Sequence, residues 1–189
     1  SRIGIDDLDS YEALSHFIST VADAGCDDFI IHARKAWLSG LSPKQNREVP
    51  PLRYDVVYQI KQDFPQLRIS LNGGVTSLET AQQVLQYVDG VMVGREAYHN
   101  PYILAQVDTL IFDKTETVVS RDEVVIALIP YIQEHLSAGG RLHNITRHIL
   151  GLYHGVAGAR AWRRYLSENA TKKGADETVL LEALKKIRL

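Results

Sequence analysis

The sequence has one cysteine, one methionine and no long apolar run in its 189 residues. A single cysteine excludes an internal disulfide and fits a reducing compartment, so we expect a cytoplasmic protein. No apolar run approaches the roughly 18 residues of a membrane-spanning helix, so we expect no membrane partner. Cys26 precedes a predicted strand, where a plain structural thiol is the simpler interpretation.

Several common ligand motifs are also missing. Neither H-E-x-x-H nor C-x-x-C occurs in the sequence, which predicts no metal site. Neither G-x-G-x-x-G nor a P-loop occurs, which excludes dinucleotide and ATP sites of those two kinds.

The net charge of −2 is unevenly distributed. Residues 1–119 hold 10 Lys and Arg against 16 Asp and Glu, whereas residues 120–189 hold 11 against 7. A basic segment behind an acidic body favours contact with nucleic acid or another polyanion. A solvated helical surface fits the same counts.

The first part of the chain alternates helix and strand. A β-α-β-α-β-α order of this kind implies a parallel sheet. Residues 29–31 are consecutively apolar, as in a fully buried strand, and residues 2–6 are typical of the end of a further strand. We therefore expect a chain that begins inside a sheet. The predicted strands are 29–32, 68–72 and 91–93, and the predicted helices are about 10–24, 54–64, 77–87 and 101–112.

After residue 119 the pattern is helical only. Predicted helices over about 121–138, 143–153, 157–170 and 175–187 are separated by glycines and indicate a small bundle. The sequence thus predicts an α/β domain over residues 1–115 and an all-α helical-bundle domain over residues 120–189.

The ends of the predicted strands carry candidate binding residues. His32 ends the first strand, Asn72-Gly73-Gly74 the second and Gly94-Arg95 the third. Ligands bind outside the carboxyl ends of parallel strands, and glycine lets a backbone N–H approach an oxyanion closely. Gly73-Gly74 alone also fits an ordinary tight turn, but Gly94-Arg95 at the matching position favours a phosphate site. His32 is either structural or a donor to a carbonyl oxygen of a cofactor ring.

Cations follow His32 in a long loop. Arg34, Lys35, Lys44 and Arg47 lie in or directly before a Ser-, Gly-, Pro- and Asn-containing segment. Four cations close to a histidine indicate an anionic ligand together with a larger anionic partner.

A second group of cations lies on the helix predicted over residues 157–170. Arg160, Arg163 and Arg164 have i, i+3 and i+4 spacing and therefore share one helical face. Such a stripe favours a phosphodiester backbone as partner, although a solvated face fits the spacing equally well.

These motifs, in this order, resemble the tRNA-dihydrouridine synthase family, and within it the A subfamily. The resemblance implies the C-terminal part of a (β/α)8 TIM barrel followed by a helical tRNA-binding domain. It implies FMN as cofactor, NADPH as reductant and tRNA as partner, with D-loop uridines at the sites labelled 20 and 20a reduced to 5,6-dihydrouridine. The motifs that carry the resemblance are RIGIDD, IIHARKAWLSGLSPKQNR, PPL, NGG, DGVMVGREAY, NP, ITRHILGLYHG and ARAWRRYLSENA.

The resemblance also assigns residues to the cofactor and to tRNA. His32 would contact the flavin, and the other cofactor residues would hold the FMN phosphate and its neighbourhood. The cofactor residues are His32, Asn72, Gly73, Gly74, Gly94 and Arg95. The tRNA-contacting residues are Lys44, Arg47, Arg160 and Arg163.

The catalytic acid of the family has no counterpart in this sequence. In the family a hydride passes from flavin N5 to the uracil, and a cysteine from the first half of the barrel acts as general acid. Cys26 does not match that motif, and Ser1 stands where a flavin-contacting lysine is expected. We therefore expect the acid upstream of this chain, and a chain that alone neither reduces tRNA nor binds FMN tightly.

Two alternatives remain at this stage. One is a non-catalytic RNA-binding fragment. The other is a different FMN- or phosphate-binding TIM-barrel oxidoreductase, similar to dihydroorotate dehydrogenases, although that does not explain the basic helical segment. We expect a monomer when the protein is of full length.

Overall fold

The computed structural model describes residues 1–115 and 117–187. It divides into two compact units, Ser1–Gly94 and Arg95–Leu189. The domain boundary predicted between residues 115 and 120 contains Glu116, and the predicted second domain ends with Arg188 and Leu189; these three residues lie outside the described ones. The predicted domain limits therefore stay a prediction.

The first unit has the predicted alternation of helices and strands. Its three strands form one parallel sheet in the order β1-β2-β3, which confirms the parallel-sheet prediction. The elements are α1 (Tyr11–Asp23), β1 (Asp28–His32), α2 (Tyr54–Asp63), β2 (Arg68–Asn72), α3 (Leu78–Val84) and β3 (Gly90–Met92).

Serine caps fix the starts of two of these helices. The Ser10 side chain accepts a hydrogen bond from the Ala13 N–H at 3.2 Å and begins α1. The Ser77 side chain does the same for Thr80 at 3.2 Å and begins α3. Because α3 already ends at Val84, the helix predicted to residue 87 is too long.

β1 is covered on one face only. Phe29 and Ile31 are buried, but Ile30 is 46% exposed, so the prediction of a fully buried strand is wrong for this residue. Successive side chains of a strand point to opposite faces, and within the described chain only the face of Phe29 and Ile31 is covered. The segment expected to end a further strand makes two single bridges: Arg2 pairs with His32 at the end of β1, and Ile5 pairs with Ala36 in the loop that follows.

The second unit contains only helices among its described elements. The single helix predicted over 101–112 is wrong, because this segment divides into a 3₁₀ helix and a separate short α-helix. The Asn100 side chain before it donates to the Glu96 carboxylate at 3.1 Å. The helix predicted over 143–153 is shorter than expected. The elements are α4 (Arg95–His99), a 3₁₀ helix (Pro101–Gln106), α5 (Val107–Leu110), α6 (Arg121–Ser137), α7 (His143–Thr146), α8 (Ala159–Asn169) and α9 (Thr178–Ile187).

α8 supplies the centre of the helical core. Trp162 is fully buried and Leu166 is 1% exposed. They belong to one cluster with buried residues of α6 and α9, among them Ile132 and Leu180. The Trp162 indole N–H donates to the Ile149 carbonyl at 3.2 Å, which fastens α8 to the segment after α7. The core thus fixes which face of α8 remains exposed.

Removing a core side chain of α8 should destabilise this unit strongly. We expect Leu166→Ala to lower the free energy of unfolding by about 2–5 kcal/mol, because it leaves a cavity in a packed core. Ile126→Ala is the matched control, since Ile126 is 50% exposed on α6 and its loss should cost within about 0.5 kcal/mol. Urea unfolding followed by far-ultraviolet circular dichroism measures both; equal effects would contradict the described core.

Candidate functional site

The carboxyl ends of the three strands meet at one edge of the sheet. His32 pairs with Asn72, and Asn72 pairs with Met92. The Asn72 side-chain amide contacts the Met92 sulfur, and the Ala33 N–H donates to the Asn72 carbonyl at 2.8 Å. The structure therefore brings together His32 and the Asn72-Gly73-Gly74 turn, as the strand pattern predicted.

His32 is held as a neutral donor. The Arg34 backbone N–H donates to His32 Nδ1 at 3.3 Å, so the neutral imidazole carries its proton on Nε2. Burial and the nearby Arg2 guanidinium lower the pKa of His32 to about 4. The ring lies against Gly73, where a Cβ atom would stand 3.4 Å from His32 Cε1. Near pH 7 this side chain can thus donate from Nε2 without adding charge.

The two glycines after β2 have a conformational reason to be glycine. Their φ angles are +114° at Gly73 and +73° at Gly74. The Tyr54 hydroxyl donates to the Gly73 carbonyl at 2.6 Å, and a Cβ on Gly74 would stand 2.5 Å from Leu52 Cδ1. Burial raises the pKa of Tyr54, so the hydroxyl keeps its proton. An ordinary tight turn thus explains these glycines as well as a phosphate site does.

Gly94 has no such reason. Its φ lies outside the left-handed region, and a Cβ added to it would meet no described atom within 4 Å. Gly94 is exposed two residues after β3, and the next residue, Arg95, is exposed at the start of α4. The packing and backbone of the described chain would therefore tolerate a side chain at position 94.

Two of the four cations after β1 have partners in the loop and in the segment before α1. The Arg34 guanidinium donates to the Pro50 carbonyl. Lys35 pairs with the Asp9 carboxylate at 2.7 Å and also donates to the Asp6 carbonyl at 3.0 Å. For these two cations the expectation of an anionic partner stays a prediction, and the fold already uses both side chains.

The other two loop cations are exposed. Lys44 precedes a short 3₁₀ turn and Arg47 is its last residue, and the Lys44 ammonium has no ion pair within the described part of the chain. The turn is fixed by Asn46, whose amide accepts from the Trp37 N–H at 2.8 Å and donates to the Trp37 carbonyl at 2.5 Å. The predicted tRNA-contacting residues of this loop thus lie on a segment whose backbone is fixed by these two hydrogen bonds, and we call this segment the braced loop.

The arginine stripe of α8 faces outward. Arg160, Arg163 and Arg164 are exposed, whereas Trp162 and Leu166 on the opposite side are buried. None of the three guanidinium groups has an ion pair among residues 95–115 and 117–187. The side-chain directions inferred from spacing are correct, and three uncompensated positive charges share one surface.

Sequence reasoning missed several residues around these sites. In the first unit they are Arg2, Leu52 and Tyr54; the PPL motif before Tyr54 is the only sequence signal for the last two. In the second unit it missed a basic cleft of about 530 Å³, because its residues come from distant segments. The cleft is lined by Arg141, His143, Lys172, Lys173 and Asp176, among others.

Cys26 lies at the wrong end of β1 for a role beside His32. Its thiol contacts the Asp28 carbonyl at 3.5 Å, at the amino end of the strand. At about 3.3 Å per residue, the six residues from Cys26 to His32 separate them by roughly 20 Å. Cys26 is therefore not part of this site.

The described residues contain no group of three or more His, Cys, Asp or Glu side chains that could hold a metal ion. They also contain no helix with the length and apolar character needed to cross a membrane.

Comparison with known proteins identifies the family. The model of the dihydrouridine synthase family matches residues 1–188. The chain belongs to this family. That membership removes the interpretation as a dihydroorotate-dehydrogenase-like enzyme and confirms the resemblance that the motifs carry.

Curated dihydrouridine synthases provide relatives at high identity. Three proteins named tRNA-dihydrouridine(20/20a) synthase are similar to this chain: 63% identical over 188 residues in Shewanella oneidensis, 59% over 184 in Pasteurella multocida and 63% over 186 in Escherichia coli K12. These matches cover 97–100% of the chain but only 54–56% of the relatives. The chain thus spans about half the length of these dihydrouridine synthases.

The protonation state of His32 gives a direct test of the site geometry. Nuclear magnetic resonance of the imidazole nitrogens should show the Nε2–H tautomer near pH 7 and a titration midpoint of about 4. The unfolded chain takes up this proton below about pH 6.5. Because the folded chain resists this protonation, the free energy of unfolding falls as the pH falls from about 6.5 to 4, and His32 causes no loss of stability above pH 6.5.

His32→Gln should weaken this pH dependence. The control is His16→Gln, because His16 is exposed on α1. A His32 midpoint near 6.5, or a Nδ1–H tautomer, would contradict the described environment.

Proposed function

We propose that this chain is the part of an FMN-dependent tRNA-dihydrouridine synthase that contacts the flavin and binds tRNA. The observation that carries the proposal is the alignment of His32 with Asn72-Gly73-Gly74 at the carboxyl edge of the sheet. It occurs in a chain that is 59–63% identical to proteins named tRNA-dihydrouridine(20/20a) synthase. The reaction class is an oxidoreductase acting on a CH–CH bond with NAD(P)+ as acceptor.

The residues present fit FMN. Gly94 leaves its backbone open to the close approach of a phosphate, and neither the packing nor the backbone conformation of the described chain requires glycine at this position. Glycine N–H groups of the strand-end turns would contact the phosphate, with Arg95 as a charge partner, and His32 would donate from Nε2 to a ring carbonyl. When bound, FMN supplies the hydride that reduces the uracil double bond, and NADPH restores the reduced flavin.

The reaction also needs a proton at the second uracil carbon. Cys26, the one thiol of the sequence, lies at the amino end of β1, away from His32. We therefore assign the general acid to a cysteine outside this chain, and we expect the chain alone to be inactive. A purely RNA-binding role would account for that inactivity too, so the test below separates the two.

The tRNA surface comprises two groups of exposed cations. Lys44 and Arg47 lie on the braced loop, and Arg160 and Arg163 lie on the outward face of α8. Exposed cations of this kind attract the phosphates of a nucleic acid. We propose a D-loop uridine at site 20 or 20a as substrate, reduced by a cytoplasmic monomer.

The α8 stripe should contribute to tRNA affinity through phosphate contacts. Arg160→Ala or Arg163→Ala should weaken tRNA binding and lower the slope of log K against log salt by about 0.7–0.9 each. Arg68→Ala is the control, because Arg68 is an exposed arginine that pairs with Asp28 at the amino end of β2. Fluorescence anisotropy over a salt series measures both quantities. An unchanged slope in the α8 variants would count against the surface.

Activity should appear only when the remainder of the enzyme is supplied. We expect no NADPH-dependent dihydrouridine from this chain alone. A chimera in which the Escherichia coli relative provides the part of its length that this chain does not span should form dihydrouridine, measured by mass spectrometry of tRNA nucleosides. Dihydrouridine formed by the chain alone would refute the assignment of the acid, and a flavin-free, inactive chimera would favour the RNA-binding alternative.

In the same chimera, Gly94→Val should abolish flavin absorbance and leave circular dichroism unchanged. The valine would occupy space that is open in the fold, so only the cofactor should be displaced. Ala24→Val is the control, because Ala24 is exposed at the end of α1 with a φ of −81° and lies before the amino end of β1. Retention of the yellow cofactor in Gly94→Val would contradict the proposed phosphate contact.

A further inference from the structure

Four side chains form an exposed aromatic and cationic group in the second unit, which we call the Tyr98 cluster: Tyr98, His99, Arg147 and His148. The Tyr98 hydroxyl lies 3.0 Å from His148 Nδ1, and Arg147 Nε lies 3.0 Å from His148 Nε2. The His99 and His148 rings approach the Tyr98 ring edge-on, at 5.9 and 5.8 Å between centroids. No part of the proposed cofactor site uses these four residues.

The backbone holds the cluster in place. A Cβ atom on Gly151 would stand 2.1 Å from the His99 carbonyl oxygen, so only glycine permits this close approach of the chain to the end of α4. The Ile149 carbonyl, one residue after His148, accepts from buried Trp162 at 3.2 Å. Tyr98 and His148 therefore meet because two fixed segments meet.

The directions of these hydrogen bonds leave the phenol hydrogen of Tyr98 without an acceptor in the described part of the chain. An arginine Nε–H is always a donor, so His148 Nε2 must accept and the neutral imidazole carries its proton on Nδ1. That proton is donated to the Tyr98 oxygen. The phenol hydrogen has no acceptor in the described part of the chain, and Tyr98 is 54% exposed. The cluster thus presents an oriented O–H donor to an outside acceptor.

The chemistry of the cluster fits a nucleotide. It contains an exposed aromatic ring, an arginine and two histidines and no carboxylate, and the nearby Glu96 on α4 accepts instead from Asn100 at 3.1 Å. Proteins bind unpaired bases by stacking them on aromatic rings, with arginine on the adjoining phosphate. A phosphate or base oxygen would accept the free phenol hydrogen.

We propose that the Tyr98 cluster is an RNA-contacting surface separate from the arginine stripe of α8. An unpaired base stacks on the Tyr98 ring, the phenol donates to an oxygen of that nucleotide, and Arg147 neutralises a phosphate. This inference rests on the proposed tRNA-binding function, and it specifies that the surface reads a loop nucleotide rather than a continuous helix.

The test separates stacking, hydrogen bonding and charge. Tyr98→Ala should weaken binding of an unmodified tRNA transcript roughly five- to hundred-fold, whereas Tyr98→Phe, which keeps the ring, should weaken it only about two- to ten-fold. Neither should change the salt slope. Arg147→Gln should lower that slope by about 0.7–0.9. Affinities are measured by anisotropy with this chain and with the chimera.

The controls distinguish this inference from the proposed function. Tyr131→Ala removes another exposed tyrosine, on α6, and should leave affinity unchanged. If Tyr98→Ala binds as tightly as Tyr131→Ala while Arg160→Ala is weakened, the Tyr98 cluster is not an RNA surface although the proposed function stands. If neither the chain nor the chimera binds tRNA, both are overturned.

Discussion

Parallel pairing in a single register aligns the carboxyl ends of β1, β2 and β3, and the proposed cofactor contacts of the first unit depend on it. His32 stands beside Asn72 because the two residues pair. A slip of one residue would turn the His32 side chain to the opposite face of the sheet and away from Gly73. The bond from the Ala33 N–H to the Asn72 carbonyl at 2.8 Å carries the ladder one residue past the strand, so the following loop begins at the same edge.

The loop after β1 brings several positive charges close to His32. It is closed at its base by the Arg53 N–H, which donates to the Ala33 carbonyl at 2.8 Å. Burial, with the neighbouring Arg47 and Arg34 guanidinium groups, lowers the pKa of Arg2. Like charges held this close disfavour one another's charged form. Burial is the main reason that His32 stays neutral, and the same positive charge of Arg2, Arg34 and Arg47 adds to it.

The sequence predicted the sheet well because its signals are local. Apolar runs that end in His32 or in Asn72-Gly73-Gly74 specify parallel strands, and the i, i+3 and i+4 spacing of the α8 arginines specifies their common face. It predicted residues 95–112 poorly, since the Asn100 side chain bonds to Glu96 and makes no capping hydrogen bond to the 3₁₀ helix that follows. The structural use of Arg34 and Lys35 was likewise invisible, because their acceptors lie in distant segments. Long-range partners decide these outcomes, and spacing does not encode them.

The same residue type can serve the fold in one place and a partner in another, and the distinction follows from what the fold already uses. Gly73 is required by its φ of +114°, and Gly151 by the 2.1 Å approach of its missing Cβ to the His99 carbonyl. Gly94 is required by neither. The Tyr98 phenol is similar, since its oxygen is used by His148 and its hydrogen is not. Gly94 is a glycine that the fold does not require, and Tyr98 has a hydrogen-bond donor without an acceptor in the described part of the chain. Each leaves a contact available to a bound molecule, so these two positions indicate a binding partner more clearly than the net charge does.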